Sequence, residues 1–226
     1  MNPMMAEFCG PAPYHLADWR RRVQDLYSEI RSIPDPAVAQ RVWLDRRTAL
    51  FQSHPMSPLP AERRNGFGGH EAYAYDPSMR FHVTLSDTIP EDINFDLGSD
   101  GTMSATRIAT TDGLATPLGR ELSVFWINGY GGGLFLPFKD ATAGRGTYGG
   151  GRYLIDAIKG ADLGLDEKGR LILDFNFAYT PSCAWNAEFV CPLAPSENII
   201  PAAIMAGEKM DDAKGTGAQT AGKVRQ

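Results

Sequence analysis

The sequence lacks an excess of positive charge and long apolar runs. Its 226 residues contain 22 Lys and Arg against 27 Asp and Glu, which gives a formal net charge of −5. Nucleic-acid-binding domains usually present a basic face to the phosphate backbone, so nucleic acid is not expected as a partner. No segment approaches the roughly 18 consecutive apolar residues of a membrane span, so no membrane partner is expected either. The first residues show no secretory signal, and the cytoplasm is the expected location.

Cysteine is also scarce. Three cysteines do not make a disulfide scaffold. Cys183 and Cys191 are eight positions apart, which exceeds the spacing of about two to four residues in zinc knuckles. Three interpretations remain open for this pair: a metal site with His54 as third ligand, a disulfide, or two small buried hydrophobes. No dedicated metal motif is present, and no metal site is predicted.

Common catalytic and cofactor motifs are missing, although glycine is plentiful. Neither Gly-Lys-Ser/Thr nor G-x-S-x-G occurs, which excludes a P-loop and a nucleophile elbow. Gly144, Gly146 and Gly149 fit G-x-G-x-x-G, but the glycines that follow would disfavour the helix that a dinucleotide site requires. These glycines predict bulges and bends, or close approach of the backbone to a ligand beside Arg145 and Arg152. No cofactor is identified, and no flavin signal is present.

The first quarter of the chain is predicted to form two helices. Apolar residues recur at steps of three and four from Leu16 to Ile30. Asp35 and Pro36 are typical of the cap and first turn of a second helix, which must end before Pro55.

The remainder is predicted to be β-structure. Period-two alternation begins near Phe81, and further strands are predicted at 103–110, 121–128, 134–138 and 171–179. Turn signals about ten residues apart indicate an antiparallel β-barrel or sandwich with the two helices packed against it, mainly β within an α+β class. We expect one domain over 1–208, helical in 14–54 and β in 67–208, followed by a disordered tail at 209–226.

The strand predicted at 171–179 carries two polar residues on one face. Alternation places Asp174 and Asn176 side by side, opposite Phe175 and Phe177. Such a face usually meets solvent. If the sheet closes into a barrel or is covered by the helices, the same side chains would line a polar cavity.

Several segments in one order resemble the domain-of-unknown-function family 1684. They are 138–154, 173–179, 181–186, 191–195, Asn198 and 206–208, with a shorter likeness in the His-Pro-x-Ser-Pro-Leu segment that begins at His54. Thr180 stands where Asn would be expected. The resemblance implies that a polar set of residues matches family motif positions: Asp140, Thr142, Arg145, Thr147, Tyr148, Arg152, Asp174, Asn176, Tyr179, Cys183, Cys191, Asn198 and Glu208.

Three functions fit such a polar set. As an enzyme, the protein would act on a small polar or anionic metabolite in a β-barrel or sandwich pocket. The candidates for catalysis are Asp140, Asp174, Tyr148 and His54, and those for ligand binding are Arg145, Arg152, Asn176, Tyr179, Thr147 and Cys183. The alternatives are a ligand-binding module without catalysis and a structural Asp–Arg network. Substrate, reaction and oligomeric state are not indicated.

Overall fold

The two predicted helices are confirmed in the computed structural model, which describes residues 12–210. Helix α1 (Ala12–Ser32) buries Trp19, Val23, Leu26 and Ile30, whereas Leu16 is 37% exposed. The apolar stripe of α1 therefore begins one turn later than the sequence periodicity predicts. Two single-turn helices, α3 (Ala61–Arg64) and α4 (Ala115–Leu118), also occur.

Helix α2 (Pro36–Ser53) begins and ends where its local sequence predicts. The Asp35 carboxylate accepts hydrogen bonds from the backbone N–H groups of Ala37 and Val38. These bonds satisfy two donors that have no partner within the helix. The helix ends at Ser53, and His54 is already extended before Pro55.

Six antiparallel strands form a nearly closed barrel, which confirms the predicted fold class. Their order in the sheet is β5-β4-β3-β2-β1-β6. Tyr153 of β5 and Tyr179, which follows β6, exchange two backbone hydrogen bonds of 2.9 and 3.1 Å. The strands are β1 (Arg80–Asp96), β2 (Thr102–Asp112), β3 (Ser123–Ile127), β4 (Gly133–Phe138), β5 (Arg152–Asp156) and β6 (Leu171–Asp174).

Two apolar clusters occupy opposite sides of the sheet. One joins Trp43 of α2 to Phe95, Phe125 and Phe135 of the strands, and so fixes both long helices on the barrel. The other contains Val124 and Leu136, together with α4 and the C-terminal segment around Ile204. In β3 and β4, alternation sends neighbouring side chains into different clusters, as with Val124 and Phe125.

The predicted strand at 171–179 is wrong beyond Asp174. The chain turns there into a single 3₁₀ turn, Phe175–Phe177, because the Asp174 carboxylate accepts the N–H of Asn176. This side-chain bond replaces a ladder bond and ends the strand. Strand β5 was not predicted, and β1 runs on to Asp96, well beyond the alternation near Phe81.

The limits of the domain stay a prediction. Lys209 and Met210, the first residues of the predicted tail, donate backbone hydrogen bonds to Glu71 and Gly146. The rest of that tail, 211–226, lies outside the described residues, as do residues 1–11. Of the helices within 12–210, none combines the length and apolar character that crossing a membrane requires.

Candidate functional site

The predicted site residues do not converge on one cavity. Arg152 is the clearest case, since its guanidinium is buried and is held by other groups of the protein. It lies 3.2 Å from Asp140 Oδ1 and donates to the carbonyl groups of Ala206, Ile204 and Glu208. Its charge therefore joins β5 to the C-terminal segment.

The other oxygen of Asp140 is equally occupied. Oδ2 accepts the Thr142 hydroxyl at 2.7 Å, the Thr142 N–H at 3.0 Å and the Ile204 N–H at 2.9 Å. The Thr147 hydroxyl lies 2.8 Å from that of Thr142. Asp140, Arg152 and Thr147 thus form one buried network that braces the glycine-rich turn before β5.

Asp174 and Asn176 are adjacent, as predicted, but they form a second network elsewhere. Arg80 donates to Asp174 Oδ2 at 2.8 Å, and the Tyr75 hydroxyl lies 3.3 Å from the same oxygen. Asn176 donates to Asp174 Oδ1 at 2.8 Å and exchanges two hydrogen bonds with the backbone of Asp76. Neither Arg145 nor Arg152 takes part.

Tyr148 contacts Cys183, which in turn lies next to Cys191. The Tyr148 hydroxyl is 3.7 Å from Cys183 Sγ, and the Cys183 N–H donates to Cys191 Sγ at 3.3 Å. Both thiols are free and buried. Hydrogen bonding between them raises the pKa of Cys183 and lowers that of Cys191 to about 7, because Cys191 accepts. Within 12–210, no three His, Cys, Asp or Glu side chains are grouped as metal ligands.

Tyr179 and His54 occupy two further places. The Tyr179 hydroxyl donates to Asp156 at 3.0 Å, and burial raises its pKa. His54 Nδ1 accepts the Met56 N–H, which leaves Nε2–H to donate to Asp18 at 3.1 Å. Burial lowers the pKa of His54, although Asp18 opposes this.

A buried ion pair that the sequence reasoning did not identify lies between α2 and the C-terminal segment. Arg47 Nε donates to Glu208 Oε1 at 2.8 Å, and Nη2 lies 2.7 Å from the same oxygen. The Thr180 N–H donates to Oε2 at 2.8 Å. Burial would raise the pKa of Glu208, but Arg47, His70 and this N–H together hold it below its ordinary value.

His70 lies on the far side of Glu208. Its side chain is 1% exposed, and Nδ1 is 3.2 Å from Glu208 Oε1. Within the described residues neither ring nitrogen has a partner with hydrogen-bond geometry. Burial is the largest influence on the imidazole and lowers its pKa to about 4, so His70 is neutral at pH 7.

His70 also lines a cavity of about 800 Å³, which we call the aromatic pocket. Three rings form part of its wall: His70 lies 5.1 Å from Trp185 and 5.3 Å from Phe67, and Phe67 lies 5.6 Å from Trp185. All three pairs are close to perpendicular, an arrangement that aromatic rings favour. The charged residues of its lining are Arg63, Arg145, Lys209 and Glu71.

Comparison with known proteins identifies the family. Residues 65–209 match the family described as Protein of unknown function (DUF1684). The chain belongs to this family. It is also similar to an uncharacterized protein of Haloarcula marismortui, whose solution structure was determined by NMR. The identity is 32% over 76% of this chain and 92% of that chain, with a TM-score of 0.53. None of the curated proteins matches it.

Most of the aromatic pocket lies inside the part of the chain that matches DUF1684. Phe67, His70, Arg145, Trp185 and Lys209 fall within the matched residues, whereas Arg63 precedes them. Of the site residues predicted from the sequence, only Arg145 belongs to this lining. It is exposed, and it stands in the turn between Gly144 and Gly146.

Trp185 is a largely enclosed ring of the pocket in this DUF1684 protein. It is 8% exposed, and its Nε1 is buried without a hydrogen-bond partner among residues 12–210. Arg63 donates to its backbone carbonyl at 3.4 Å. The family motif around Trp185 was visible in the sequence, but an apolar residue between two cysteines gave no sign that it would line a cavity.

Proposed function

We propose that this DUF1684 protein binds a small organic anion in the aromatic pocket. The observation that carries the proposal is the charge of the lining, where Arg63, Arg145 and Lys209 accompany the single carboxylate of Glu71. The chain as a whole has a formal charge of −5, so this local excess of positive charge runs against the overall composition. Cationic side chains around a partly apolar cavity favour negatively charged ligands.

Two of the cations are well placed to meet a ligand. Arg145 and Lys209 are both exposed at the pocket. The planar guanidinium of Arg145 can donate two parallel hydrogen bonds to a carboxylate or phosphate. Lys209 Nζ lies 5.0 Å from the centre of the Tyr73 ring, which holds the ammonium near the pocket.

Binding is better supported than turnover. Asp140 and Asp174, the carboxylates predicted to transfer protons, are not among the lining residues and already accept hydrogen bonds from the protein. A general base must reach the proton that it removes. The polar metabolite of the sequence prediction is therefore retained in the proposal as a ligand.

Titration calorimetry with simple probes tests this function. We expect benzoate and phenyl phosphate to bind and benzyltrimethylammonium not to bind. Arg145→Gln should weaken anion binding about tenfold, since one charge-assisted contact is lost. Arg41→Gln, an exposed arginine of α2 outside the pocket, is the matched control and should leave the Kd unchanged. Preferred binding of the ammonium probe, or equal Kd values in both variants, would refute the proposal.

A further inference from the structure

Two rings of the aromatic pocket carry buried nitrogens without partners. In the described part of the chain these are Nε1 of Trp185 and both ring nitrogens of His70. Buried polar atoms in folded proteins are nearly always hydrogen-bonded, and those left open often mark a place where a ligand or water binds. Both residues line the same cavity, so one ligand can contact both rings. Because the nitrogens themselves are buried, hydrogen bonds to them require a small movement of the rings when the ligand binds.

The protonation state of His70 determines which of its ring nitrogens can donate or accept a hydrogen bond. The ring is neutral at pH 7, so one nitrogen carries the proton and the other is an acceptor. Nδ1 faces the Glu208 carboxylate at 3.2 Å, which favours the proton on Nδ1. His70 Nε2 is then an acceptor, while Trp185 Nε1 can only donate.

From this pattern, and resting on the proposed function, we infer that the ligand is a flat heterocycle bearing a carboxylate or phosphate. Its ring carries both an N–H or O–H group, which donates to His70 Nε2, and a carbonyl or ring nitrogen, which accepts from Trp185 Nε1. The basic side chains hold the anionic group. A cavity of about 800 Å³ can take a heterocyclic carboxylate or a nucleoside monophosphate, which share this chemistry.

An aromatic cage for a quaternary ammonium group is the competing interpretation of the same rings. Such a cage attracts cations through ring faces and needs no hydrogen-bonding nitrogens. Here the rings contact one another edge to face, and Arg63, Arg145 and Lys209 would repel a cation. The charges of the lining therefore favour the anionic heterocycle.

Matched probes separate ring chemistry from charge. Orotate has ring N–H and carbonyl groups that benzoate lacks, and uridine monophosphate has those that phenyl phosphate lacks. We expect at least one heterocycle to bind tenfold or more tightly than its matched phenyl compound. A site that hydrogen-bonds its ligand rejects analogues without those groups. The pair of probes that shows this difference identifies whether the ligand carries a carboxylate or a phosphate.

Trp185→Phe is the decisive variant, because it keeps a ring in the wall and removes only the Nε1 donor. It should weaken binding of the preferred heterocycle at least fivefold and change the Kd of the phenyl compound less than twofold. His70→Phe should act in the same way, with thermal unfolding as the check on folding. If it does not fold, Trp185→Phe alone decides.

The outcomes distinguish this inference from the proposed function. If phenyl and heterocyclic anions bind equally and Arg145→Gln weakens both, the function stands and the inference fails. The inference also fails if Trp185→Phe weakens the binding of the heterocycle and of the phenyl compound equally. If no anion binds, or if benzyltrimethylammonium binds best, both the function and the inference fail.

Discussion

Three carboxylates buried in this protein each lie against an arginine. Arg152 lies against Asp140, Arg47 against Glu208 and Arg80 against Asp174. Removing charged groups from water is costly, and the cost is offset only where partners and hydrogen bonds are complete. His70 is the exception, since it is buried beside a carboxylate that Arg47 already neutralises, and so it stays uncharged.

The low pKa of His70 gives stability a specific pH dependence. Its pKa is about 4 in the folded protein against about 6.5 in the unfolded chain. Below pH 6.5 the unfolded chain gains a proton that the folded protein does not, so stability falls with pH and levels off near pH 4. When the pH is lowered from 7.5 to 5.0, the free energy of unfolding should fall by about 2 kcal/mol more in the wild type than in His70→Gln. Urea unfolding at the two pH values measures this difference. Identical pH profiles for the two proteins would contradict this assignment.

Among the elements, the segment 206–210 has a strict backbone requirement. Gly207 has φ +78°, and a Cβ there would lie 2.6 Å from the carbonyl oxygens of both Phe175 and Ala178. This close approach places Glu208 N–H 2.9 Å from Ala178 O and brings the Glu208 carboxylate to Arg47. A side chain at Gly207 would therefore displace the whole segment.

Gly207→Ala is expected to reduce the free energy of unfolding by about 3 kcal/mol or more, through left-handed backbone strain and overlap with two carbonyl groups. Gly169→Ala is the matched control, because Gly169 has φ +74° and no atom within 4 Å of the added Cβ. Gly169→Ala should reduce the free energy of unfolding by about 1 kcal/mol, because it adds only the left-handed backbone strain. Similar losses in urea unfolding for the two variants would show that the close approach is unimportant.

Elements with local signals could be predicted from the sequence, and those that depend on distant contacts could not. The cap at Asp35 and the apolar spacing of α1 are local, and both helices were found. The strand at 171–174 was extended too far because alternation continues through Tyr179, whereas the bond from Asn176 N–H to Asp174 turns the chain.

The aromatic pocket shows the same limit. Arg145 was predicted from glycines that let the backbone approach a ligand, and it does line a cavity. Phe67, Trp185 and Lys209 come from separate loops, and only the folded barrel brings them together. Their individual sequence contexts, such as a glycine-rich loop and a segment between two cysteines, do not show that these residues lie close together in the fold.

At the scale of the whole molecule, the ion pair Arg47–Glu208 joins helix α2 to the C-terminal segment. Arg47 belongs to α2, and its guanidinium lies 5.0 Å from the centre of the Tyr179 ring beyond β6 as well as against Glu208. Removal of either charge leaves the other buried and unpaired. The attachment of α2 to the barrel therefore depends on both.

A double-mutant cycle tests this dependence. Arg47→Met and Glu208→Gln should each reduce the free energy of unfolding by about 3–5 kcal/mol. The double variant should reduce it by clearly less than the sum of the two single losses. The exposed pair Arg46–Glu29, with an N–O distance of 3.1 Å, also joins α1 to α2 and serves as the control. Its coupling energy should stay below about 1 kcal/mol. Additive losses for the buried pair would show that the two charges do not act together.

The bridge between Tyr153 and Tyr179 has a consequence for self-association. An open sheet edge offers unpaired N–H and C=O groups on which a strand from another chain can add, and this is a common route to aggregation. Here both backbone groups of each tyrosine are already paired across the seam. Growth of the sheet at that seam would first require the barrel to open, so the closure that shapes the fold also protects it against intermolecular strand addition.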